Sequence, residues 1–435
     1  MKKNRSPKLP VNTAYIIPRN KHSISKADIS NNAIKVLNRL ISGGFQAYLV
    51  GGSVRDLLLH KAPKDFDVAT NATPNEIKNL FRNGRIIGRR FKLVHILFHR
   101  EIIEVATFRG HDAVDASQQT NERGMLVRDN VYGSLDEDAW RRDFTINSLY
   151  YNIDDSSIID FTGGVNDVQQ RLIRMIGDPI TRYKEDPVRM LRAVRFSAKL
   201  HFKLAPETEA PFPDISQLIT HVSNSRLFDE ITKLYQCGEA ETVQRLLVQY
   251  GLFQHLCPLT ASLFDGEYPV NALLGIALEN TDTRIRDDKP VTPAFLFAVL
   301  LWFPMIERSK QLQVSGLDPL PALEKAMSLV ITEQNKIISI PKRYTQVVRE
   351  IWLLQYRFSK RLGGRAFNLL QHPRFRAAYD FMALRALAGD ESMELADWWT
   401  SFQEVDETEQ AKMIALITPV ASSKPKRRRK PKVIK

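Results

Sequence analysis

The chain has 435 residues, 43% of them hydrophobic and 26% charged, with a formal net charge of +13. That is apolar material for about three domains with cores that need no staples, and the charge points to a polyanionic partner. No run approaches 18 apolar residues, which argues against a membrane span, and Cys237 and Cys257 form no CxxC pair, which argues against a disulfide framework or a zinc site and fits a reducing, cytoplasmic compartment.

Residues 1–23 are basic, lack the apolar stretch of a secretory signal and read as unstructured. Residues 25–45, SKADISNNAIKVLNRLISGGF, predict a helix. Ser25 and Asp28 have capping-box spacing, Ile29, Ala33, Val36, Leu37 and Leu40 form one apolar face, and Gly43–Gly44 end it. QAYLV reads as a strand, GGS as a turn into the helix VRDLLL, FDVA as a second strand and TPNEIKNLFRNG as a capped helix. KLVHILFHREIIEVATFR reads as two strands around a tight turn. Residues 110–139 are polar and aperiodic, and a loop of that length is usually mobile or functional. RRDFTINSLYYNI reads as helix and SSIIDFTGG as strand. From about Val165 strand signals cease, and amphipathic helices run to about Leu416 with no internal repeat. The last twelve residues, KPKRRRKPKVIK, carry eight cations, and +13 less those eight leaves a still basic +5.

Two features of the N-terminal part suggest chemistry. On a strand, Asp65 and Asp67 point to the same side while Phe66 and Val68 point to the other. Adjacent carboxylates repel unless a cation lies between them, and magnesium is the usual remedy. An EF-hand does not fit, because Ala69 and Thr70 stand where an oxygen ligand and a glycine are required. Gly51 and Gly52 lack Cβ atoms, so the backbone can approach an anion, and a helix starting near Ser53 would aim free N–H groups at a phosphate. Ser53 adds a hydroxyl and Arg55 a charge. A turn of this kind and a DxD are each common; together, thirteen residues apart, they are far more specific.

LVGGSVRD, KDFDV, EIIEVATFRG, RRDFTINSLYY, IIDFTGGVNDV and YKEDPVRMLRAVRFSAKL, in this order over about residues 47–202, resemble the motifs of the bacterial poly(A) polymerases and CCA-adding tRNA enzymes of the polymerase-beta nucleotidyltransferase superfamily. The helical segments NTDTRIRDDKPVTPAFLFAVLLW, IPKRYTQVVREIWLLQ and HPRFRAAYDFMALRA, with the basic tail, are similar to the poly(A) polymerase branch. Ser53 departs from that branch, where a third glycine is expected. The resemblance implies an α+β chain: a nucleotidyltransferase head (1–165), a helical neck that reads the base and binds RNA (166–240), a helical body (241–419) and a disordered basic tail (420–435).

It also implies roles. Asp65 and Asp67 hold two magnesium ions, for which manganese can substitute, and the third carboxylate is Glu104 or Asp143, which the sequence does not rank. Arg142, Asp143 and Asn147 lie at the nucleotide, Asp186 and Arg189 read the base, and Arg192 and Arg195 meet phosphates. The offsets of three from Asp186 through Arg195 place all four along one side of a helix. Lys424, Lys426, Arg427, Arg428, Arg429 and Lys430 would bind RNA. The implied reaction adds AMP from ATP to RNA 3′ ends without a template and releases pyrophosphate. The rivals are a CCA-adding enzyme and an RNA-binding protein that kept the fold without the chemistry. RNA-processing proteins are expected partners; the oligomeric state is not legible.

Three further features carry less. His95 and His99 lie in a strand-like run with no third ligand nearby, which disfavours zinc. Trp398 and Trp399 read as helix packing. Lys342, Arg343, Arg349, Arg357, Lys360, Arg361 and Arg365 form a basic region that either tracks an RNA backbone or is a solvated helix face.

Overall fold

The computed structural model describes residues 14–88, 92–99, 101–110, 118–120, 126–129 and 131–417. The chain divides into two compact units between Leu256 and Cys257. The expected tail, 420–435, lies outside the described residues.

The first unit is built on a sheet that, among the described residues, has eight strands in the order β1-β10-β9-β2-β3-β6-β5-β4. These are β1 (Tyr15–Ile17), β2 (Ala47–Val50), β3 (Asp67–Thr70), β4 (Gly84–Ile87), β5 (Leu93–Leu97), β6 (Ile102–Thr107), β9 (Leu149–Tyr151) and β10 (Ile158–Asp160). All neighbours run antiparallel except β3 and β6, which are parallel. Helices α1 (Asn31–Ser42), α2 (Gly52–Leu58), α3 (Pro74–Leu80), α4 (Leu135–Arg141) and α5 (Gly164–Gln170) connect the strands. A separate strand pair, β7 (Gln118–Thr120) and β8 (Leu126–Asp129), lies within the segment read as a long loop, and α4 occupies its end.

The α+β reading holds, with local corrections. Residues 15–17, read as unstructured, form β1 against β10. The first long helix begins at Asn31, because two capping signals follow in series. Ser25 and Asp28 close a short 3-10 turn, and the Ser30 hydroxyl then accepts the Asn32 and Ala33 N–H groups at 3.2 and 3.5 Å. Its buried face, Ala33, Val36, Leu37 and Leu40, is as expected. β4 was not foreseen. RRDFTINSLYYNI is not a helix: Arg141 ends α4, Thr145–Asn147 is a 3-10 turn, and Leu149, Tyr150 and Tyr151 form a strand. Those three residues are fully buried between β2 and β10, so a continuous apolar run here marks a strand covered on both faces.

Beyond residue 165 the chain is mainly helical, but β11 (Leu172–Ile173) and β12 (Lys203–Leu204) form a short parallel pair. Between them lie α6 (Pro179–Glu185) and α7 (Val188–Leu200). The second unit is helical throughout its described residues. Trp352 and Trp399 anchor its core, their indole N–H groups donating to the carbonyls of Ala298 (3.0 Å) and Phe358 (3.1 Å). Trp399 is core as read, whereas Trp398 is only partly buried and stacks on Phe402. No described helix is long and apolar enough to cross a membrane.

Candidate active site

A single row of paired residues crosses the sheet: Tyr150, Val50, Asp67, Glu104, His95 and Arg85, on β9, β2, β3, β6, β5 and β4. Paired positions share a face, so the pairing brings Asp67 and Glu104 together although 37 residues separate them in sequence. Phe66 and Val68 are buried on the opposite side, and Asp65 is exposed just ahead of β3. Burial pushes the Asp67 carboxyl up to about 6, Glu104 adds to the rise, Arg142 opposes it and Asp65 adds a little. The Glu104 carboxylate lies 2.9 Å from His95 Nε2 and accepts its proton when the imidazole is protonated at that nitrogen.

Among the described residues, no group of three or more His, Cys, Asp or Glu side chains is gathered closely enough to hold a metal by itself. The donors at this end of β3 and β6 are all carboxylate oxygens, however, and their mutual repulsion is what a hard divalent cation relieves. The residues therefore fit such an ion, with its remaining ligands coming from substrate phosphates and water.

The glycine turn lies beside this row. Gly51 has φ 76° and ψ −129°, a conformation that only glycine adopts without strain. A Cβ there would come 3.5 Å from the Asn147 carbonyl and 3.6 Å from Arg142 Nη1. The first internal bond of α2 runs from Arg55 N–H to the Gly51 carbonyl, so the N–H groups of Gly52, Ser53 and Val54 precede it. Two expectations need correction. The Ser53 hydroxyl is buried and donates to the Val50 carbonyl at 3.1 Å, so only its backbone faces a ligand. Arg55 is also buried, with Nη1 donating to Asn147 Oδ1 at 2.5 Å and Nε and Nη2 to Asp56 at 2.9 and 2.7 Å. It braces the turn and has no free face for a phosphate.

Asp143 is engaged on both oxygens. One accepts from the Phe144 N–H (2.8 Å) and Asn147 Nδ2 (3.2 Å), the other from Arg192 Nε (2.6 Å). Burial opposes its ionisation, but Arg192, then Asn147 and Phe144, outweigh burial and hold its pKa below the usual value. Arg142 is held over the turn by Asp138 (2.9 Å) and the Tyr150 hydroxyl (3.0 Å). The 3-10 turn that carries Asn147 is seated on α5, where a Cβ on Gly164 would lie 2.2 Å from the Thr145 carbonyl oxygen.

The four residues read along one helix face are split. Asp186 is the C-cap of α6, and Pro187 separates it from α7. Its carboxylate is gripped by Arg226, on the helix Asn224–Tyr235, through two bonds of 2.7 Å. Arg189 is buried and donates to Glu185 (2.8 Å) and the Arg182 carbonyl (2.6 Å). Arg192 and Arg195 lie over the Phe196 ring at 5.3 and 4.9 Å, joined there by Arg55 at 5.5 Å. Arg226 and Arg182 were missed. Arg226 is remote from every motif, whereas Arg182, which holds the Arg141 and Arg142 carbonyls at 2.7 and 2.8 Å, lies just before YKEDPVRM in the helix that leads into it. Arg141 and Arg182 are both pushed down to about 10, by burial first and then by neighbouring guanidiniums, which marks an excess of positive charge beside the site.

Comparison with known proteins supplies the family. "Poly A polymerase head domain" matches residues 47–174, "Probable RNA and SrmB-binding site of polymerase A" residues 201–264, and "Polymerase A arginine-rich C-terminus" residues 315–433. Poly(A) polymerase I of Salmonella typhi is 50% identical over 408 residues, 92% of this chain and 88% of that protein. The chain belongs to the poly(A) polymerase family. A CCA-adding enzyme of Bacillus velezensis is 38% identical over 224 residues, 52% of this chain and 55% of that protein, which makes it a more distant relative than the poly(A) polymerase. The crystal structure of the Bacillus stearothermophilus CCA-adding enzyme in complex with CTP covers 85% of this chain and 82% of its own at 26% identity, with a TM-score of 0.56. The two branches thus share a fold, and the poly(A) polymerase resemblance read from the motifs is borne out.

Proposed function

We infer that the chain is a polynucleotide adenylyltransferase that adds AMP from ATP to RNA 3′ ends without a template and releases pyrophosphate. The observation that carries this is the 50% identity to a poly(A) polymerase I across nine-tenths of the chain. Family membership implies a divalent metal. The finer reading is two magnesium ions, for which manganese can substitute, held by Asp65 and Asp67 with Glu104 as the third carboxylate. When bound, they supply a lowered pKa for the attacking hydroxyl and charge neutralisation on the triphosphate.

The chain's own residues do the positioning. The N–H groups opening α2 and the Arg142 guanidinium face the triphosphate, with Arg141 and Arg182 adding positive potential. Asp143 and Asn147 lie at the nucleotide and tie α7 to the glycine turn. Asp186 and Arg189 present acceptor and donor to the base edge, and Arg192 and Arg195 flank the phosphates. No covalent enzyme intermediate is needed. Lys424, Lys426, Arg427, Arg428, Arg429 and Lys430 bind RNA electrostatically. RNA-processing proteins are partners in this reading, supported by the description of the family segment at 201–264. A cytoplasmic location fits Cys237 and Cys257, neither of which forms a disulfide.

The test is one assay: pure protein, magnesium and an unstructured RNA with each NTP in turn. Long tails with ATP alone are expected. Addition of two C and one A to a truncated tRNA would favour the CCA-adding rival, and no product with any nucleotide would favour an RNA-binding protein without chemistry.

A further inference from the structure

We propose that the second unit carries a single-stranded RNA platform, built from Tyr356, Arg357, Lys360, Arg361, Arg365 and Trp398, that stacks bases and tracks phosphates. The proposal rests on the RNA-adenylating reading above and concerns a surface that no motif in the head or neck includes.

Residues 351–379 contain six cations and no acid. Two of the six are neutralised locally, Arg374 by Glu350 and Arg376 by Asp380, each at 2.9 Å. Arg357, Lys360, Arg361 and Arg365 have no carboxylate within ion-pair distance among the described residues. They cluster where the helix Lys342–Phe358 ends and the helix Arg365–Leu370 begins. A merely solvated helix face would ordinarily intersperse both signs; a block of one sign left uncompensated is an anion-binding surface.

The aromatic contacts indicate a nucleic acid strand as the anion. Tyr356 is 41% exposed although Trp352 and Phe358 on the same helix are fully buried, so this ring is turned outward. Lys360 Nζ sits 3.8 Å from its centroid. The next residue, Arg361, places its guanidinium 5.0 Å from the Trp398 ring, which in turn stacks on Phe402 at 4.6 Å and 14°. Two cation–ring pairs thus leave one turn from consecutive residues. Planar guanidinium and phenol surfaces accept any base by stacking, and the flanking cations meet the backbone phosphates. That combination binds single strands without sequence preference, which suits an RNA end that lengthens by one nucleotide per cycle. A duplex, whose bases are already stacked on each other, would gain only the phosphate contacts.

The experiment uses the full chain and a 5′-labelled, unstructured 20-nucleotide RNA, with anisotropy titrations at several salt concentrations. Two variants separate the terms: Tyr356→Ala removes a stacking surface, and the quadruple Arg357→Gln, Lys360→Gln, Arg361→Gln, Arg365→Gln removes charge. All five positions lie outside the core, and circular dichroism checks the fold. Tyr356→Ala is expected to weaken single-strand binding about tenfold, the effect of one stacked base, with less than twofold loss for an RNA duplex. The quadruple variant should lower the slope of log K against log salt by roughly 2–3, at about 0.7 per phosphate contact. In the adenylation assay both should raise KM for RNA more than they change kcat. An unaltered single-strand Kd in Tyr356→Ala, an equal loss for duplex, or equal competition by poly-glutamate would each overturn the platform. Failure of the wild type to add AMP at all would instead overturn the adenylyltransferase reading and is scored separately.

Discussion

Asp67 and Glu104 stand opposite each other on β3 and β6, the one parallel pair in the eight-stranded sheet of the described residues. The pairing fixes two carboxylates on one face, and the raised pKa of Asp67 is its electrostatic consequence.

A folded carboxyl at about 6 binds its proton more tightly than the same group in the unfolded chain at 3.8. Its contribution to stability is therefore full below the unfolded value and is lost as pH rises through about 6. Without divalent cations, Asp67→Asn should be more stable than wild type by up to about 3 kcal/mol at pH 7.5 and equal to it below pH ~4. Magnesium should raise the wild-type Tm more than that of the variant. Calorimetry across pH, with and without the ion, measures both.

The two candidates for the third carboxylate separate by what each touches. Glu104→Gln removes an exposed oxygen beside Asp67 and should cut kcat about 100-fold or more while leaving Tm nearly unchanged. Asp143→Asn leaves the Arg192 guanidinium without its counter-ion and should cost on the order of 2 kcal/mol of stability. Parallel denaturation curves and single-turnover rates distinguish the two; a stable, inactive Asp143→Asn with an active Glu104→Gln would reverse the assignment.

Arg226 holds both oxygens of Asp186 at 2.7 Å. Arg226→Ala should let that carboxylate rotate, raising KM for ATP about tenfold and narrowing the discrimination of ATP over CTP. Lysine should restore little, because it cannot make the paired bonds. Steady-state incorporation with each nucleotide is the measurement.

Gly164→Ala drives a methyl group against the Thr145 carbonyl at 2.2 Å. It should cost about 1–3 kcal/mol and reduce kcat, although the residue touches no nucleotide, because the turn bearing Asn147 must move. An unchanged melting curve would show that α5 has room to give.

Deleting residues 421–435 removes all eight terminal cations. RNA binding should weaken and its salt dependence flatten, with turnover at saturating RNA little changed. Binding isotherms at three salt concentrations decide it.

Much of the head was readable because its signals are local. The Gly51–Gly52 turn, the DxD of Asp65 and Asp67, and the alternation that buries Phe66 and Val68 each follow from a few adjacent residues. What misled was also local. LYY looked helical within RRDFTINSLYYNI, because a fully apolar triplet carries no period of its own and only pairing with β2 and β10 makes it a strand. Ser25 and Asp28 gave a sound capping signal, but the next cap, Ser30, starts the long helix. Ser53 and Arg55 looked available for phosphate, yet each is used inside the fold.

The sequence alone determined the α+β class, the family motifs and the residue types of the site, since strand alternation, helix caps and glycine turns are written within a few positions. Only the tertiary structure decided which partners meet: Glu104 beside Asp67, Arg192 on Asp143, Arg226 on Asp186. Those pairs lie roughly 37 to 49 residues apart, and their association depends on strand register and helix packing, which arise when distant segments bury apolar surface together and leave no local trace.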